Sequence, residues 1–395
     1  MAADGAAPSA SPSRWEWLPV LLLPVPAAVC LTAAPGAAAG RFAFWVGLAL
    51  IPGVVWRLLG HASWRVHRAC FAFGLLCFMA TDARLRPDAA GLARILRNWP
   101  LVLLGLAFCL SQPFWGALRI GLLLNDSMGA VSIPHCLRLC LVGNFFNIFL
   151  PGATGGDAYR VYAISGGERR GFAPALAAVT LDRFLGLPPL VCIILAASLL
   201  DAGFFGSALS ARLGTFVAAA AGIALLLTVF LLSGRRAALD GGAPEADRHP
   251  VWGRFRRFRR LLARNLAGKR TLPLAFLHGL ASHIAVVFAC MLFGRTAGVE
   301  GVSALRHFLV VPLAMAVNSI PGAPGGLGQG ELAMAALLDL AAPGMGNAQA
   351  GVLAMLLLRC GNILAGLAGG CVFAASGGGS PFAEAKRLRR FETDA

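Results

Sequence analysis

Asn147-Ile-Phe-Leu-Pro151-Gly-Ala-Thr-Gly-Gly156-Asp157 and, in the C-terminal half, Asn318-Ser-Ile-Pro321-Gly-Ala-Pro-Gly-Gly326 are two versions of one phrase. Five of the six positions in each Pro-Gly-Ala-x-Gly-Gly break are identical, and the asparagine precedes the proline by four residues in one and three in the other. Both breaks interrupt apolar stretches, and the chain around them is apolar too. Of 395 residues, 58% are hydrophobic and 13% charged, about half the charged share of a soluble domain. The runs 99 to 123, 172 to 200, 213 to 233, 271 to 293 and 347 to 376 each exceed or approach the roughly 20 residues a helix needs to cross a bilayer. The expected fold is therefore all-α, a polytopic integral membrane helical bundle.

Net charge and cysteines exclude other classes. The formal charge is +16, but the arginines sit in loops between spans, where they set orientation and meet anionic head groups, so nucleic acid is not an expected partner. Most of the ten cysteines fall singly inside apolar spans and read as small buried hydrophobes. Cys136 and Cys140, with His135 beside them, lack a second pair at zinc spacing. No metal and no cofactor is expected. Residues 1 to 16, rich in Ala, Pro and Ser, read as a disordered tail. Residues 17 to 37 fit either a signal peptide or a retained first span; a barely basic start and Pro24 and Pro26 favour the span.

Arginines set the topology. Loop 234 to 270 carries eleven Lys/Arg against Asp240, Glu245 and Asp247, which places it in the cytoplasm. Within it, Val251 to Leu266 has the pattern of an amphipathic helix on the membrane surface, or simply of a basic anchor. Counting outward gives eight crossings, at 17–37, 42–58, 68–81, 99–123, 172–200, 213–233, 271–293 and 347–376. Both termini, including the basic tail 377–395, are then cytoplasmic in a cell (inner) membrane. Segment 82–98 resists the rule, since Arg84, Arg86, Arg94 and Arg97 must lie outside. Residues 134–165 begin and end inside, whereas 303–342 begin and end outside. Each reads as a re-entrant hairpin, and two such hairpins of opposite orientation suggest an inverted-topology repeat. Convergence on a generic Pro-Gly hinge is the competing explanation.

Broken backbone at membrane depth survives only where protein or a hydrated cavity satisfies it, so the breaks mark an interior site. The candidate residues at the first break are Asn147, Pro151, Gly152, Gly155, Gly156, Asp157 and Arg160, with Asp182 and Arg183 in the next span. At the second they are Asn318, Pro321, Gly325, Gly326 and Glu331, with Arg359 in the last span. Helices restarting after Gly156 and Gly326 point positive dipole ends inward, which suits a phosphate or another anion. The bland alternative is that Asp157, at capping spacing from Thr154, and Glu331 only close their own helix starts. Charged groups within spans are costly and face a pathway or a partner; Arg119 is a further one. Arg359, mid-span, either pairs with Glu331 or Asp182 or contacts substrate. His278 and His283 are five apart and do not share a helix face well, so they read as packing residues.

Gly143-Asn-Phe-Phe-Asn147 through Leu150-Pro-Gly-Ala-Thr-Gly-Gly-Asp157-Ala-Tyr-Arg160, followed by Thr180-Leu-Asp-Arg183-Phe-Leu-Gly186, resembles the flippase-like transmembrane family. That family includes the membrane half of lysylphosphatidylglycerol synthases. Asn318-Ser-Ile-Pro-Gly-Ala-Pro-Gly-Gly-Leu-Gly-Gln-Gly-Glu331 looks like its later glycine motif, and Arg359 matches a late intramembrane arginine. The resemblance runs from about 68 to 376, leaving earlier residues as an addition. Asp182-Arg183 departs from the Glu-Arg often found there. The resemblance implies a protein that translocates or binds an anionic or polyisoprenoid-type membrane lipid. The synthases' soluble transferase domain is not seen in these residues, so aminoacyl transfer is not expected. Two alternatives stand: a membrane partner subunit of a lipid or envelope biosynthesis enzyme, and a membrane-embedded enzyme acting on lipid phosphate. No Gly-x-x-x-x-Gly-Lys motif suggests ATP as the drive.

Overall fold

The computed structural model describes residues 37–58, 64–128, 131–149, 155–165, 171–201 and 270–376 without Pro321, plus a few isolated positions between 204 and 266. The first expected span, most of 213–233, most of the basic loop and the tail after 376 lie outside the described residues. All regular structure among the described residues is helical.

Helices α1 (Ala37–Leu58) and α2 (Trp64–Thr81) form an N-terminal pair. A short amphipathic helix, α3 (Ala89–Arg97), follows; Asp88 caps it by accepting from the Gly91 N–H at 2.7 Å, and Arg94 and Arg97 close its last turn. Next, α4 (Trp99–Leu110) and α5 (Gln112–Met128) read as one apolar span with a jog at Ser111, whose hydroxyl donates to the Phe108 carbonyl at 2.7 Å. The first broken hairpin is α6 (Ile133–Phe149) and α7 (Gly155–Ser165), which pack against each other. After it, α8 (Phe172–Leu185) and α9 (Leu187–Leu200) form a second jogged span, bent at Gly186 where Pro188 and Pro189 withhold backbone donors. Then come α10 (Thr271–Ala297), the second broken hairpin α11 (Ala304–Ser319) and α12 (Gln329–Ala341), and finally α13 (Ala348–Ala375).

Among the described residues, four helices are long and apolar enough to cross a membrane: Trp99–Asp126, Phe172–Leu200, Thr271–Ala297 and Ala348–Ala375. Each spans about 40 Å at 1.5 Å per residue, against a hydrocarbon core of about 30 Å. Their limits lie within about four residues of those expected from hydropathy. The expected count of eight is larger than these four. Of the other expected crossings, 42–58 and 68–81 fall in α1 and α2, and 17–37 and most of 213–233 fall outside the described residues.

Burial identifies the central element. The most apolar window of the last helix is 56% buried, against 22%, 28% and 33% for the other three. Accordingly, α13 is the axis and the others turn most of their apolar surface outward, as helices facing lipid do. Its N-terminal half packs on α12, with Gly351 against the Ala335 backbone; its C-terminal half packs on α6, with Gly369 against the Leu141 carbonyl and Phe373 against Phe146. Small residues permit both close approaches. The two hairpins thus meet α13 at different levels.

Loops gather at the two ends. Gln349 donates to the Arg86 carbonyl at 2.6 Å, and Asn347 exchanges two hydrogen bonds of 2.9 Å with the Glu300 backbone. Segment 82–98 therefore shares an end with the loops flanking the second hairpin. At the opposite end, the Thr271 hydroxyl donates to Asp126 at 2.6 Å. Asp82 is buried and accepts from the half-exposed Arg41 and Arg84 at 3.0 and 3.2 Å, which ties α1 to the start of that segment.

Candidate functional site

Asn147, in the last turn of α6, reaches across the first break: its Oδ1 accepts from the Gly156 N–H at 2.8 Å. One of the unsatisfied N–H groups at the start of α7 is thereby supplied from the preceding helix. The approach is close, because a Cβ on Gly156 would overlap the Gly143 carbonyl and the Asn147 amide. Glycine at 156 is what lets α6 and α7 touch.

Just beyond, five charged side chains collect. Arg183, from α8, grips Asp157 through Nε, 3.0 Å from Oδ2, and through Nη2. Arg119, from α5, donates Nε to Asp182 at 2.6 Å. Arg160 lies between the two carboxylates, its Nη1 3.6 Å from Asp157 and 3.9 Å from Asp182. Those separations are ion pairs without hydrogen-bond length. Arg160 Nε is buried against Gly143 and has no hydrogen-bond partner among the described residues. Asp182 is buried, while the Arg183 side chain is 49% exposed and that of Asp157 26%. Tyr159, in the same helix, is buried and stacks on Phe146 with centroids 5.0 Å apart.

The second break repeats the plan. The Asn318 Oδ1 would meet a Cβ placed on Gly326 or on Gly330. Gly325 and Gly326 have φ of 59° and 69°, left-handed values that side-chain-bearing residues rarely adopt. Glu331, in the first turn of α12, accepts from the Gly328 N–H at 2.8 Å and from Arg359 of α13. Arg359 also donates to the Gly325 and Gly326 carbonyls at 2.8 and 2.7 Å and approaches Asn318 Oδ1 at 3.4 Å. Gln329, fully buried, stitches the same break: its Oε1 accepts from the Ala323 N–H at 3.1 Å, and its Nε2 donates to the Val317 and Ile320 carbonyls at 2.7 Å each. From outside, α2 closes over it, with Arg68 donating to the Ala323 carbonyl at 3.1 Å and Leu75 packed on Gly328.

Each break therefore has an asparagine before it packed on a glycine after it, an acid in the next helix, and an arginine from the following span holding that acid. Of the residues expected from sequence, Asn147, Gly156, Asp157, Arg160, Asp182 and Arg183 come together, with Gly155 buried at the start of α7. Asn318, Gly325, Gly326, Glu331 and Arg359 form a second group. Among the described residues each group is paired within itself, and no hydrogen bond or ion pair runs from one group to the other. Pro151, Gly152 and Pro321 lie outside the described residues. Between Glu331 and Asp182 as partners for Arg359, the structure places Glu331; Asp182 goes to Arg119. Glu331 both closes its helix start and holds an arginine. Arg119 was expected as an in-span charge facing a pathway or a partner, without a named partner; Gln329 and Arg68 were not expected in these sites, and of the two Gln329 had a signal, as a polar residue beside the second break.

A family model described as the lysylphosphatidylglycerol synthase TM region matches residues 68–369 of the chain. No curated protein matches it, and no solved structure does.

Proposed function

Since the chain belongs to the lysylphosphatidylglycerol synthase transmembrane-region family and is a membrane protein, we propose that it binds an anionic or lipid-phosphate head group and carries it between leaflets. The observation that carries this reading is the first charged cluster. Arginines and carboxylates are held inside an apolar bundle at a backbone break, with Arg183 and Asp157 still reachable. Ionised groups at membrane depth are costly, and a structural pair alone does not need an accessible face. The pairing of each acid with an arginine from the next span supplies exchangeable partners for an anion on its way through. Two helix–break–helix units of this kind, entering from opposite faces, are the arrangement in which alternating access is built. On this reading the protein sits in the cell membrane with both termini cytoplasmic and works without catalysis.

Reconstitution tests it. Vesicles carrying the purified protein and a trace of fluorescent lipid, in phosphatidylglycerol, phosphatidylcholine and isoprenyl-phosphate series, are exposed to an impermeant quencher. Faster loss of inner-leaflet fluorescence than in protein-free vesicles is expected for anionic lipids. Unchanged exchange across the series, with folded protein, would sink the proposal and favour a partner-subunit role.

A further inference from the structure

The two breaks share a plan but differ in what their arginines hold. At the second, all three nitrogens of Arg359 are engaged, by five acceptors: both Glu331 oxygens, the Gly325 and Gly326 carbonyls and Asn318 Oδ1. Glu331 is fully buried and also holds the Gly328 N–H. At the first, Arg183 is gripped from one side by a single carboxylate and is half exposed, and the buried Arg160 Nε has no hydrogen-bond partner among the described residues.

We infer that the breaks have divided labour: the first binds a phosphate-class monoanion between Arg183 and Arg160, displacing Asp157, and the second is a strut whose arginine secures broken backbone. This rests on the lipid-handling reading above and adds which break recognises the ligand. Asp157 is an internal stand-in for that ligand. Its two oxygens take the guanidinium edge that a phosphate takes in the same paired fashion. Among the described residues the cluster has three cations, Arg119, Arg160 and Arg183, against two carboxylates, Asp157 and Asp182. One added monoanion balances it, and the displaced Asp157 has an exposed side to turn to. A phosphate at Arg359 has no comparable entry. It must dislodge a fully buried glutamate and strip two carbonyls of their donors, leaving polar groups unpaired inside the bundle.

Calorimetric titration of the full-length protein in detergent tests this, with dioctanoyl phosphatidylglycerol, dioctanoylglycerol and inorganic phosphate as separate probes. Asp157→Asn removes the internal competitor and tightens phosphatidylglycerol binding about threefold or more, while Arg183→Gln weakens it about tenfold or more. Dioctanoylglycerol binding is indifferent to both. Inorganic phosphate binding that Arg183→Gln abolishes assigns recognition to the phosphate alone; phosphatidylglycerol binding without it assigns recognition to the head group on its lipid. Wild-type affinity in Arg183→Gln overturns the inference, as does Glu331→Gln tightening binding as much as Asp157→Asn. Leaflet exchange on the same preparations separates the two claims. Binding that follows this pattern without exchange removes transport and leaves the site; exchange with Arg183→Gln binding normally removes the site and leaves transport.

Discussion

Replacing Glu331 by glutamine keeps the side chain's length and its acceptor for the Gly328 N–H but removes the charge facing Arg359. Glu331 is fully buried and the Arg359 side chain is 19% exposed, so water compensates little. Breaking a buried ion pair by removing one partner costs about 3–5 kcal/mol. The two carbonyl acceptors remain for Arg359, which puts the expected loss near the lower end, about 3 kcal/mol. At roughly 2 °C per kcal/mol for a large chain, the melting midpoint in detergent, followed by tryptophan fluorescence, falls by about 6 °C. The double variant Glu331→Gln, Arg359→Met distinguishes a salt bridge from a strut. Were the pair all that mattered, removing both charges would restore most of the loss. Because Gly325 and Gly326 then lose their donors at about 1–3 kcal/mol each, the double variant is expected to melt no higher than Glu331→Gln alone. A double variant close to wild type, or a single variant within 1 °C of it, refutes the assignment of Arg359 to the broken backbone.

Other outcomes follow from the same contacts. Gly156→Ala drives a methyl into the Gly143 carbonyl; at about 1–3 kcal/mol for overpacking, the variant melts several degrees lower, and Ala at Gly325, where nothing lies within 4 Å but φ is 59°, costs only the strain of a left-handed backbone, about 1 kcal/mol. Burial opposes ionisation of Asp82, but hydrogen bonds from Arg84 and Arg41 outweigh it and hold the carboxyl below the usual aspartate range. Its contribution is complete above the ordinary pKa of about 4 and is lost as pH falls through the lowered folded value. With both arginines half exposed and screened, Asp82→Asn is expected to cost about 1 kcal/mol at pH 7, and the melting curves of variant and wild type should converge as pH falls through that lowered value. Gly369→Leu, at the crossing of α13 and α6, collides with the Leu141 carbonyl and should abolish folded, monodisperse protein on gel filtration.

What was legible follows from how local each signal is. Runs of apolar residues mark where a helix can lie in lipid, so 99, 172 and 271 were readable as starts to the residue. The paired breaks were readable because proline and glycine act on their own backbone. Arg359 finding Glu331 was half readable, as one of two named partners. The central position of α13 was not, because a helix apolar all round reads the same whether protein or lipid surrounds it. Nor were the links made across the chain. Arg68 reaches Ala323 from 255 residues away and Arg119 reaches Asp182 from 63; nothing in the residues between encodes either meeting. The jogs at Ser111 and Gly186, the second of which lies against the Arg119 guanidinium, leave the hydropathy of their spans intact.

Transport through this protein depends on the first charged cluster carrying an anionic head group across the membrane. The most direct measurement is the quencher-accessible exchange rate of fluorescent phosphatidylglycerol in vesicles, compared between wild type and Arg183→Gln at equal amounts of folded protein. Wild type should exchange the lipid well above protein-free vesicles, and Arg183→Gln should lose about nine-tenths or more of that excess. Equal exchange by the two proteins would contradict it.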